Sequence, residues 1–195
     1  MVKNKNVIIL EGADACGKSQ LSKHIQDLAN GKCHIIHSNY NKNISAENHR
    51  RQHKLIMKFV NKQFNSKKYY TGNNVVILDR CYISDITYGQ IGYGSKGDIM
   101  SKLRYFNKLL GMLSPNIKIT LVYCKPKKSA FNNDAKDELL NNTENNKMQD
   151  IYDNTLYRAD MLRILRDHNV DFVLYDFIED PEYKLLDAKL VTKGI

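Results

Sequence analysis

A glycine-framed run near the beginning of the chain has the residue types of a phosphate-binding loop. Residues 12–19 read Gly-Ala-Asp-Ala-Cys-Gly-Lys-Ser and match the pattern G-x-x-x-x-G-K-[ST] in full. In such loops backbone N–H groups point inward, and the N-terminus of the next helix adds partial positive charge. Lys18 is expected to reach the outer phosphates of ATP, and Ser19 to offer its hydroxyl to Mg²⁺. The predicted nucleotide-binding residues are Gly12, Ala13, Asp14, Ala15, Cys16, Gly17, Lys18, Ser19 and Gln20.

An acidic and a basic residue after a later apolar run form the second candidate site. Asp79 follows the run at 75–78, and Arg80 comes directly after it. A carboxylate at a strand end beside the loop can hold Mg²⁺ directly or through water, so Ser19 and Asp79 are the predicted metal residues. The planar guanidinium of Arg80 suits a bidentate grip on a phosphate. We therefore predict that Lys18, Asp79 and Arg80 are catalytic, and the competing interpretation is a strand-end turn with a surface ion pair.

The elements around these motifs alternate between strand and helix. Apolar runs predict strands at 7–10, 33–37, 75–78, 117–123 and 170–175. Helical periodicity predicts helices after 19, over 45–64, from 98 to 113 and over 151–167. Such alternation is typical of an α/β fold, here a parallel five-stranded sheet with helices on both faces. Because ligands bind at the carboxyl ends of parallel strands, we expect both motifs to lie at one edge of the sheet.

The helix predicted over 45–64 is polar and basic. Its apolar side is predicted to consist of Leu55, Ile56, Phe59 and Val60. His49 and His53 are four residues apart, and we expect them to share a solvated helix face, with a metal-binding pair as the less favoured alternative.

Length and composition limit the class of protein. The 195 residues suit a single domain over 1–195, and 42% hydrophobic with 26% charged residues excludes a disordered chain. No apolar run is long enough for a transmembrane helix. Four cysteines without paired spacing indicate reduced thiols and a cytoplasmic location. Cys16 lies inside the loop, where alkylation would block ATP, although a small filler residue is the competing interpretation. The net charge of +9 fits either nucleic acid or small anionic ligands.

Together, the two motifs resemble those of the thymidylate kinase family. Glu11-Gly12-Ala13-Asp14 before Gly17-Lys18-Ser19 is similar to the family's E-G-x-D-x-x-G-K-[ST] opening. Residues 79–88 resemble its D-R-[YH]-x-x-S-x-x-A-[YF] stretch, as in a divergent, viral or phage-like member. The resemblance implies a P-loop kinase fold that transfers the γ-phosphoryl group of ATP, with Mg²⁺, to a deoxynucleoside monophosphate. The acceptor is usually dTMP.

The resemblance also implies roles for individual residues. Asp14 would hydrogen-bond the 3′-hydroxyl of the acceptor sugar, and Arg80 would bind the acceptor phosphate. Ser84 and Asp85 would lie near the base edge, and Tyr88 near the sugar, where an aromatic wall disfavours a 2′-hydroxyl. Residues 125–150 would form a mobile lid over ATP. Members usually form homodimers, for which the helix at 99–113 offers an apolar face.

Several positions depart from the family pattern and leave the acceptor base open. Cys81 replaces an aromatic or histidine, and Asp85 stands where several members carry a small or amide residue that faces thymine. The helix before the Asp79 strand lacks the Phe-x-x-x-Arg pair that reads thymine. Acceptors such as dCMP or dGMP, or a broader set, therefore remain open beside dTMP.

A further departure concerns the transition-state arginine that the family carries in its loop or lid. Residues 125–157 contain no arginine, and neither do loop positions 13–16. Such a cation is worth about 10³–10⁵ in rate in related enzymes. We predict that Arg158 takes this role as a fourth catalytic residue, and the competing interpretation is a solvated helix residue. The other candidates are a partner protein and the lysines Lys127, Lys128, Lys136 and Lys147.

Alternative functions remain beside the monophosphate kinase. A deoxynucleoside kinase is less favoured, because Arg80 suits an acceptor that already carries a phosphate and those kinases usually have a Glu-Arg-Ser stretch. A polynucleotide 5′-kinase would need a basic groove. A non-catalytic protein that binds ATP or nucleic acid would fit the basic charge. Small nucleotides are the expected partners, nucleic acid is less favoured, and no membrane association is expected.

Overall fold

The computed structural model describes residues 5–29, 33–38, 45–65, 75–92, 97–126 and 142–191. Five strands and seven α-helices follow one another along these ranges, with a short 3₁₀ turn at Gly89–Ile91. The strands are β1 (Lys5–Glu11), β2 (Cys33–His37), β3 (Val75–Asp79), β4 (Ile117–Cys124) and β5 (Val170–Tyr175). The helices are α1 (Lys18–Leu28), α2 (Ala46–Asn65), α3 (Tyr82–Tyr88), α4 (Ile99–Leu110), α5 (Asn142–Leu156), α6 (Ala159–Asp167) and α7 (Lys184–Val191).

The five strands form one parallel sheet in the order β2-β3-β1-β4-β5. The central strand β1 pairs with both β3 and β4, so that Ile9 lies opposite Leu78 on one side and Leu121 on the other. From Asn6 onward every residue of β1 is buried, which explains the apolar run at 7–10. The predicted α/β class and the parallel five-stranded sheet are confirmed.

The strand order distributes the helices over the sheet. The connection from β1 to β2 runs toward one edge of the sheet, whereas every later connection runs toward the other edge. Because such crossovers are right-handed, α1 lies on one face and α2 to α6 on the other. The contacts agree, since α4 packs against α2, α3 and α6, whereas His24 of α1 bonds Asp187 of α7 at 2.8 Å. The order reverses at β1, which places the carboxyl ends of β1 and β3 at the crevice where such folds bind ligands.

The buried face of α2 differs from the prediction. Leu55 and Phe59 are 56% and 41% exposed, whereas His49 and His53 are almost fully buried. The helix is rotated relative to the prediction because Met57, Val60 and Phe64, spaced about one turn apart, form its buried face. His49 and His53 lie on this same face. The expectation of a solvated histidine face was wrong, since hydrophobic periodicity alone does not detect buried histidines that have polar neighbours.

The end of the chain also differs from the predicted elements. The single helix predicted over 151–167 is two helices, α5 and α6, which are interrupted at Tyr157 and Arg158. Residues 142–150 of the predicted lid belong to α5, where Met148 and Gln149 are buried. The remainder of the lid prediction, residues 127–141, lies outside the described residues, as do Lys127, Lys128 and Lys136.

The helix α4 uses its apolar face within the chain. Asp98 caps it as predicted, because its Oδ1 accepts a hydrogen bond from the Ser101 N–H at 2.9 Å. Leu103, Phe106 and Leu110 are buried in the chain's own core. The apolar face assigned to a homodimer is therefore already covered. In the described ranges, no helix combines the length and the apolar character that crossing a membrane requires.

Candidate active site

The phosphate-binding loop connects the end of β1 to the beginning of α1. Gly12 (φ 146°) and Gly17 (φ 80°) adopt backbone conformations that side chains disfavour, and Ala15 (φ 55°) lies in the left-handed region. A Cβ atom on Gly12 would overlap the backbone oxygen of Cys124 and would lie 2.8 Å from Cys16 Sγ. The loop therefore packs directly on the end of β4, and the first glycine of the motif is required by this close approach.

Lys18 lies folded into the loop. It is 7% exposed, and its Nζ donates hydrogen bonds to the backbone oxygens of Gly12, at 3.1 Å, and of Ala13. The same Nζ lies 3.1 Å from Cys16 Sγ. The backbone oxygens of Gly12 and Ala13 thus bind the Lys18 ammonium group where the motif predicts phosphate oxygens. Phosphates that bind to Lys18 must displace these two carbonyl oxygens.

Arg80 is placed against the same loop from the end of β3. Its N–H bonds the oxygen of Leu10 at 3.0 Å, which extends the β1–β3 pairing by one residue. Its backbone is left-handed (φ 69°), a conformation that ordinarily costs a non-glycine residue about 1–3 kcal/mol. Nη1 donates to the oxygen of Gly12 at 3.0 Å, and Nη2 pairs with Asp14 Oδ1. The guanidinium also lies over the Tyr88 ring, 5.0 Å from its centroid.

One carbonyl oxygen therefore serves two cations. The oxygen of Gly12 accepts from Lys18 Nζ at 3.1 Å and from Arg80 Nη1 at 3.0 Å. The residues from the two sequence motifs meet at this atom. The structure thus brings together Lys18, Arg80, Asp14 and Tyr88, as the resemblance implied.

The carboxylate of Glu11 fixes the position of α3 beneath Arg80. Its Oε1 accepts the Cys81 N–H at 2.7 Å, and its Oε2 accepts from Ser84 Oγ at 2.6 Å and from the Tyr152 hydroxyl at 3.0 Å. Burial raises the pKa of Glu11, an effect that the hydrogen bonds from Ser84 and Cys81 oppose. Ser84, predicted near the base edge, directs its hydroxyl to this network, where Arg80 Nη1 lies 3.4 Å away.

The predicted metal residues lie at the adjoining strand ends. Asp79 Oδ2 bonds His37 Nδ1 at 2.9 Å across the ends of β3 and β2. Its Oδ1 is buried, and no described residue hydrogen-bonds to it. Ser19 is exposed in the first turn of α1. An orphaned carboxylate oxygen and a hydroxyl beside a phosphate loop are hard oxygen ligands that fit Mg²⁺, which keeps several waters and phosphate oxygens as its other ligands.

Asp85 faces a buried polar cluster. His49 Nδ1 lies 3.0 Å from its Oδ1, and Lys102 Nζ lies 3.6 Å from its Oδ2 and donates to its backbone oxygen at 3.0 Å. The three side chains are at most 4% exposed. A carboxylate buried with two basic partners differs from the small or amide residue of the family pattern, and it ties α3 to α2 and α4.

Arg158 is the N-cap residue of α6, but its side chain makes no capping hydrogen bond. Its Nη2 lies 3.6 Å from Asp160 Oδ2 and 3.9 Å from Met100 Sδ, and the side chain is 38% exposed. Neither of these contacts within the described ranges is with the loop or with Arg80. Its catalytic role stays a prediction.

Sequence reasoning missed three contributors to the site. Glu11 enters the sequence analysis only as part of the family pattern, although its position directly before the loop could have indicated a role in the site. No local sequence pattern indicates Tyr152, because it reaches Glu11 only through the packing of α5, from 141 positions away in the sequence. No local pattern indicates Phe177 either, and its ring would lie 3.2 Å from a Cβ on Gly17. Such contacts depend on tertiary packing, which local patterns do not encode.

Comparisons with known proteins identify the fold. No protein-family model matches the chain, and no curated protein matches its sequence. Solved structures do match, among them the YorR protein of Bacillus subtilis in complex with phosphorylated GDP. That match has 18% identity and a TM-score of 0.54, and it covers 87% of this chain and 85% of that one. The chain has a P-loop kinase fold.

Two further neighbours are larger than this chain. NadR in complex with NR has 14% identity and a TM-score of 0.55, and the match covers 88% of this chain and 45% of that one. A putative polyphosphate kinase 2 from Pseudomonas aeruginosa PA01 has 18% identity and a TM-score of 0.58, with 87% and 37% covered. The chain thus spans less than half of either protein. YorR is bound to phosphorylated GDP and NadR to NR, so the shared fold does not identify a substrate for this chain.

Proposed function

We propose that the protein is an ATP- and Mg²⁺-dependent kinase that phosphorylates a deoxynucleoside monophosphate, with dTMP as the lead acceptor. The observation that carries the proposal is the pair of cations, Lys18 and Arg80, on the carbonyl oxygen of Gly12. Lys18 belongs to the loop that would bind the donor. Arg80 directly follows β3 and reaches the same oxygen from there, where a second, phosphorylated substrate would lie.

The chemistry is an in-line transfer. An oxygen of the acceptor phosphate attacks the γ-phosphorus of ATP, the bond to the β–γ bridging oxygen breaks, and ADP leaves. Lys18 and Arg80 stabilise the negative charge that develops on the transferred group and on the acceptor phosphate. Bound Mg²⁺, held through Ser19 and Asp79, would supply charge neutralisation between the β- and γ-phosphates. The protein contributes mainly position and electrostatics.

Asp14 and Tyr88 are the residues proposed to bind the sugar of the acceptor. Tyr88 donates its hydroxyl to Asp14 Oδ1 at 2.9 Å, whereas Asp14 Oδ2 is buried and no described residue hydrogen-bonds to it. A buried carboxylate oxygen without a donor favours a ligand hydroxyl. The 3′-hydroxyl of the acceptor sugar is the donor that the family resemblance implies. This supports a nucleotide acceptor over inorganic phosphate.

The test is ADP release from Mg-ATP with each dNMP, each deoxynucleoside and a 5′-hydroxyl oligonucleotide as acceptor. Release with one or more dNMPs alone supports the proposal, and the rank order gives the base preference. Release only with deoxynucleosides or with the oligonucleotide assigns one of the alternative kinases. Release with none of them refutes the kinase proposal and favours an ATP-binding protein without transfer.

A variant of Arg80 tests its role within the same assay. Arg80→Lys keeps the charge but loses the fork that bonds Gly12 and Asp14, so we expect at least a ~100-fold loss of kcat/KM for the acceptor. Arg104 is exposed on α4, and Arg104→Lys is the matched control. If both variants retain wild-type turnover, Arg80 does not bind the acceptor phosphate.

A further inference from the structure

Two buried cysteines meet where the phosphate-binding loop packs on β4. Cys16 belongs to the loop and Cys124 ends β4, and each is 1% exposed. Both are free cysteines. A Cβ on Gly12 would lie 2.8 Å from Cys16 Sγ and would overlap the backbone oxygen of Cys124, so the two residues adjoin with only the hydrogen atom of Gly12 between them.

The surroundings of Cys16 favour its thiolate. Lys18 Nζ lies 3.1 Å from Sγ, and the residue lies two positions before α1, whose N-terminus carries partial positive charge. Burial alone would raise the pKa of Cys16, but the hydrogen bond with Cys124 and the Lys18 charge outweigh it and lower the pKa to about 6. Arg80 also acts on it, and Tyr88 and Tyr123 are the other titratable groups near it.

Cys124 differs from Cys16 in its electrostatics. Burial raises the pKa of Cys124 well above the ordinary range, and the neighbouring Cys16 thiolate adds to the effect. The Cys16 sulfur is therefore the nucleophile, and the neighbouring Cys124 keeps its proton. This asymmetry is typical of an attacking and a resolving cysteine.

We propose that Cys16 is a peroxide-sensitive modification site that forms a disulfide with Cys124 and thereby inactivates the phosphate-binding loop. This goes beyond the proposed function and does not depend on which acceptor the protein uses. In the first step Cys16 Sγ attacks hydrogen peroxide, a sulfur–oxygen bond forms, the oxygen–oxygen bond breaks, and hydroxide leaves. In the second step Cys124 loses its proton to that hydroxide, which becomes the first water, and attacks Cys16 Sγ. The sulfur–oxygen bond breaks, and the second oxygen leaves as hydroxide, which takes up the proton that Cys16 lost on ionising and becomes the second water. In sum, two thiols and one peroxide give one disulfide and two waters.

The disulfide would act on nucleotide binding through the loop. It would hold Cys16 against the end of β4 in the conformation in which Lys18 bonds the oxygens of Gly12 and Ala13. Phosphates must displace these bonds, which a tethered loop resists. Bound ATP should in turn draw Lys18 from the sulfur and cover the site. Oxidation and ATP binding are therefore expected to oppose each other.

The first experiment reads the covalent product rather than activity. The reduced protein is treated with hydrogen peroxide at pH 7, and intact mass and peptide mapping follow. We expect loss of two hydrogen atoms, a peptide joining Cys16 to Cys124, and reversal by dithiothreitol. Cys124→Ser should stop at a sulfenic acid that dimedone traps on Cys16, and Cys16→Ser should give neither product. Oxidation that spares Cys16, or a disulfide between other cysteines, overturns the proposal.

Cys33 provides the matched control. It is also buried, but burial and Asp27 raise its pKa. At pH 7 most of Cys16 is therefore thiolate and little of Cys33 is, although the lower nucleophilicity of an acidic thiolate removes part of this advantage. We expect Cys16 to react at least ~10-fold faster than Cys33, and Cys33→Ser to form the disulfide like wild type. Equal rates at both cysteines would refute the electrostatic argument.

The second experiment measures binding. Calorimetric titration with Mg-ATP should show at least ~10-fold weaker affinity for the disulfide form than for the reduced form, with recovery after reduction. Saturating Mg-ATP should slow disulfide formation at least ~5-fold. If the disulfide forms but ATP affinity is unchanged, the modification does not act on the loop. If neither form binds ATP, the assigned nucleotide site is wrong, while the mass data still decide on the cysteine chemistry.

Discussion

The substitution Gly12→Ala tests the close approach of the loop to β4. The added Cβ would overlap the backbone oxygen of Cys124 and meet Cys16 Sγ at 2.8 Å, and φ is 146°. The backbone strain costs about 1–3 kcal/mol. Overlap with a carbonyl of the central sheet, which cannot rotate away as a side chain can, costs about 1–3 kcal/mol more. We expect a loss of about 2–6 kcal/mol, or about 4–24 °C in Tm for a chain of this size.

Two other glycines separate the two parts of this cost. Gly92 also has a positive φ, of 84°, but nothing lies within 4 Å of its Cβ position, so Gly92→Ala reports backbone strain alone. Gly111 directly follows α4 with right-handed backbone angles (φ −63°, ψ −9°), and the neighbours of an added Cβ would be at ordinary contact distances of 3.5 Å or more. Gly111→Ala should therefore be neutral or stabilise by about 0.4–1 kcal/mol. The differences between variants are more informative than any single value.

The assay is calorimetric unfolding of the four proteins at one pH, followed by titration with Mg-ATP. The expected order of Tm is Gly111→Ala at or above wild type, then Gly92→Ala, then Gly12→Ala. Gly12→Ala should also weaken ATP binding by more than ~10-fold, because the Gly12 oxygen holds Lys18 and Arg80. If Gly12→Ala unfolds at the same temperature as Gly92→Ala, the steric argument fails, and the loop does not pack on β4 as described.

Further substitutions test the other charged and polar groups. Lys18→Met should abolish ATP binding while unfolding remains cooperative, and normal turnover by the folded variant would refute the site. Glu11→Ala should cost about 3–5 kcal/mol in urea unfolding, because three buried donors lose their acceptor, and Glu11→Gln should cost much less. Equal losses for both would contradict that reason. Burial lowers the pKa of His53 to about 4. An unfolded histidine titrates near 6.5, so the protein should lose up to about 3 kcal/mol between pH 7 and pH 4, and His53→Gln should flatten that dependence. If Arg158 is catalytic, Arg158→Ala should lower kcat by at least ~10³ with little change in the acceptor KM, and an unchanged kcat removes it from the site.

Local sequence was enough for the sheet and the loop because their signals are short-range. The strands β1 and β3 each contain four consecutive buried apolar residues, at 7–10 and 75–78, and the glycines of the loop mark backbone conformations that a tight turn requires. The pairing of β1 with β3 follows from the fold class, so the meeting of the two motifs could be predicted as well.

The rest depended on contacts between distant segments. The prediction of the buried face of α2 was wrong because His49 and His53 are polar residues that are nevertheless buried against α3, where Asp85 and the Tyr82 ring lie. The sequence at the break between α5 and α6 contains no proline or glycine that could have indicated it. Tyr152 enters the Glu11 network only through the packing of α5. Such positions are set by tertiary contacts that override local propensity.

The shared carbonyl of Gly12 has a consequence for the order in which ligands bind. Without phosphates, two positive charges converge on one neutral dipole, and each raises the electrostatic energy of the other. A donor phosphate that takes Lys18 leaves the carbonyl to Arg80, and an acceptor phosphate that takes Arg80 relieves Lys18. The phosphate that binds first relieves this repulsion, so the cation that stays on the carbonyl is held more strongly and the second phosphate has a stronger hydrogen bond to displace; thermodynamic linkage makes the effect equal in both directions. If donor and acceptor bind as proposed, their binding is expected to show negative cooperativity that originates in a single backbone atom.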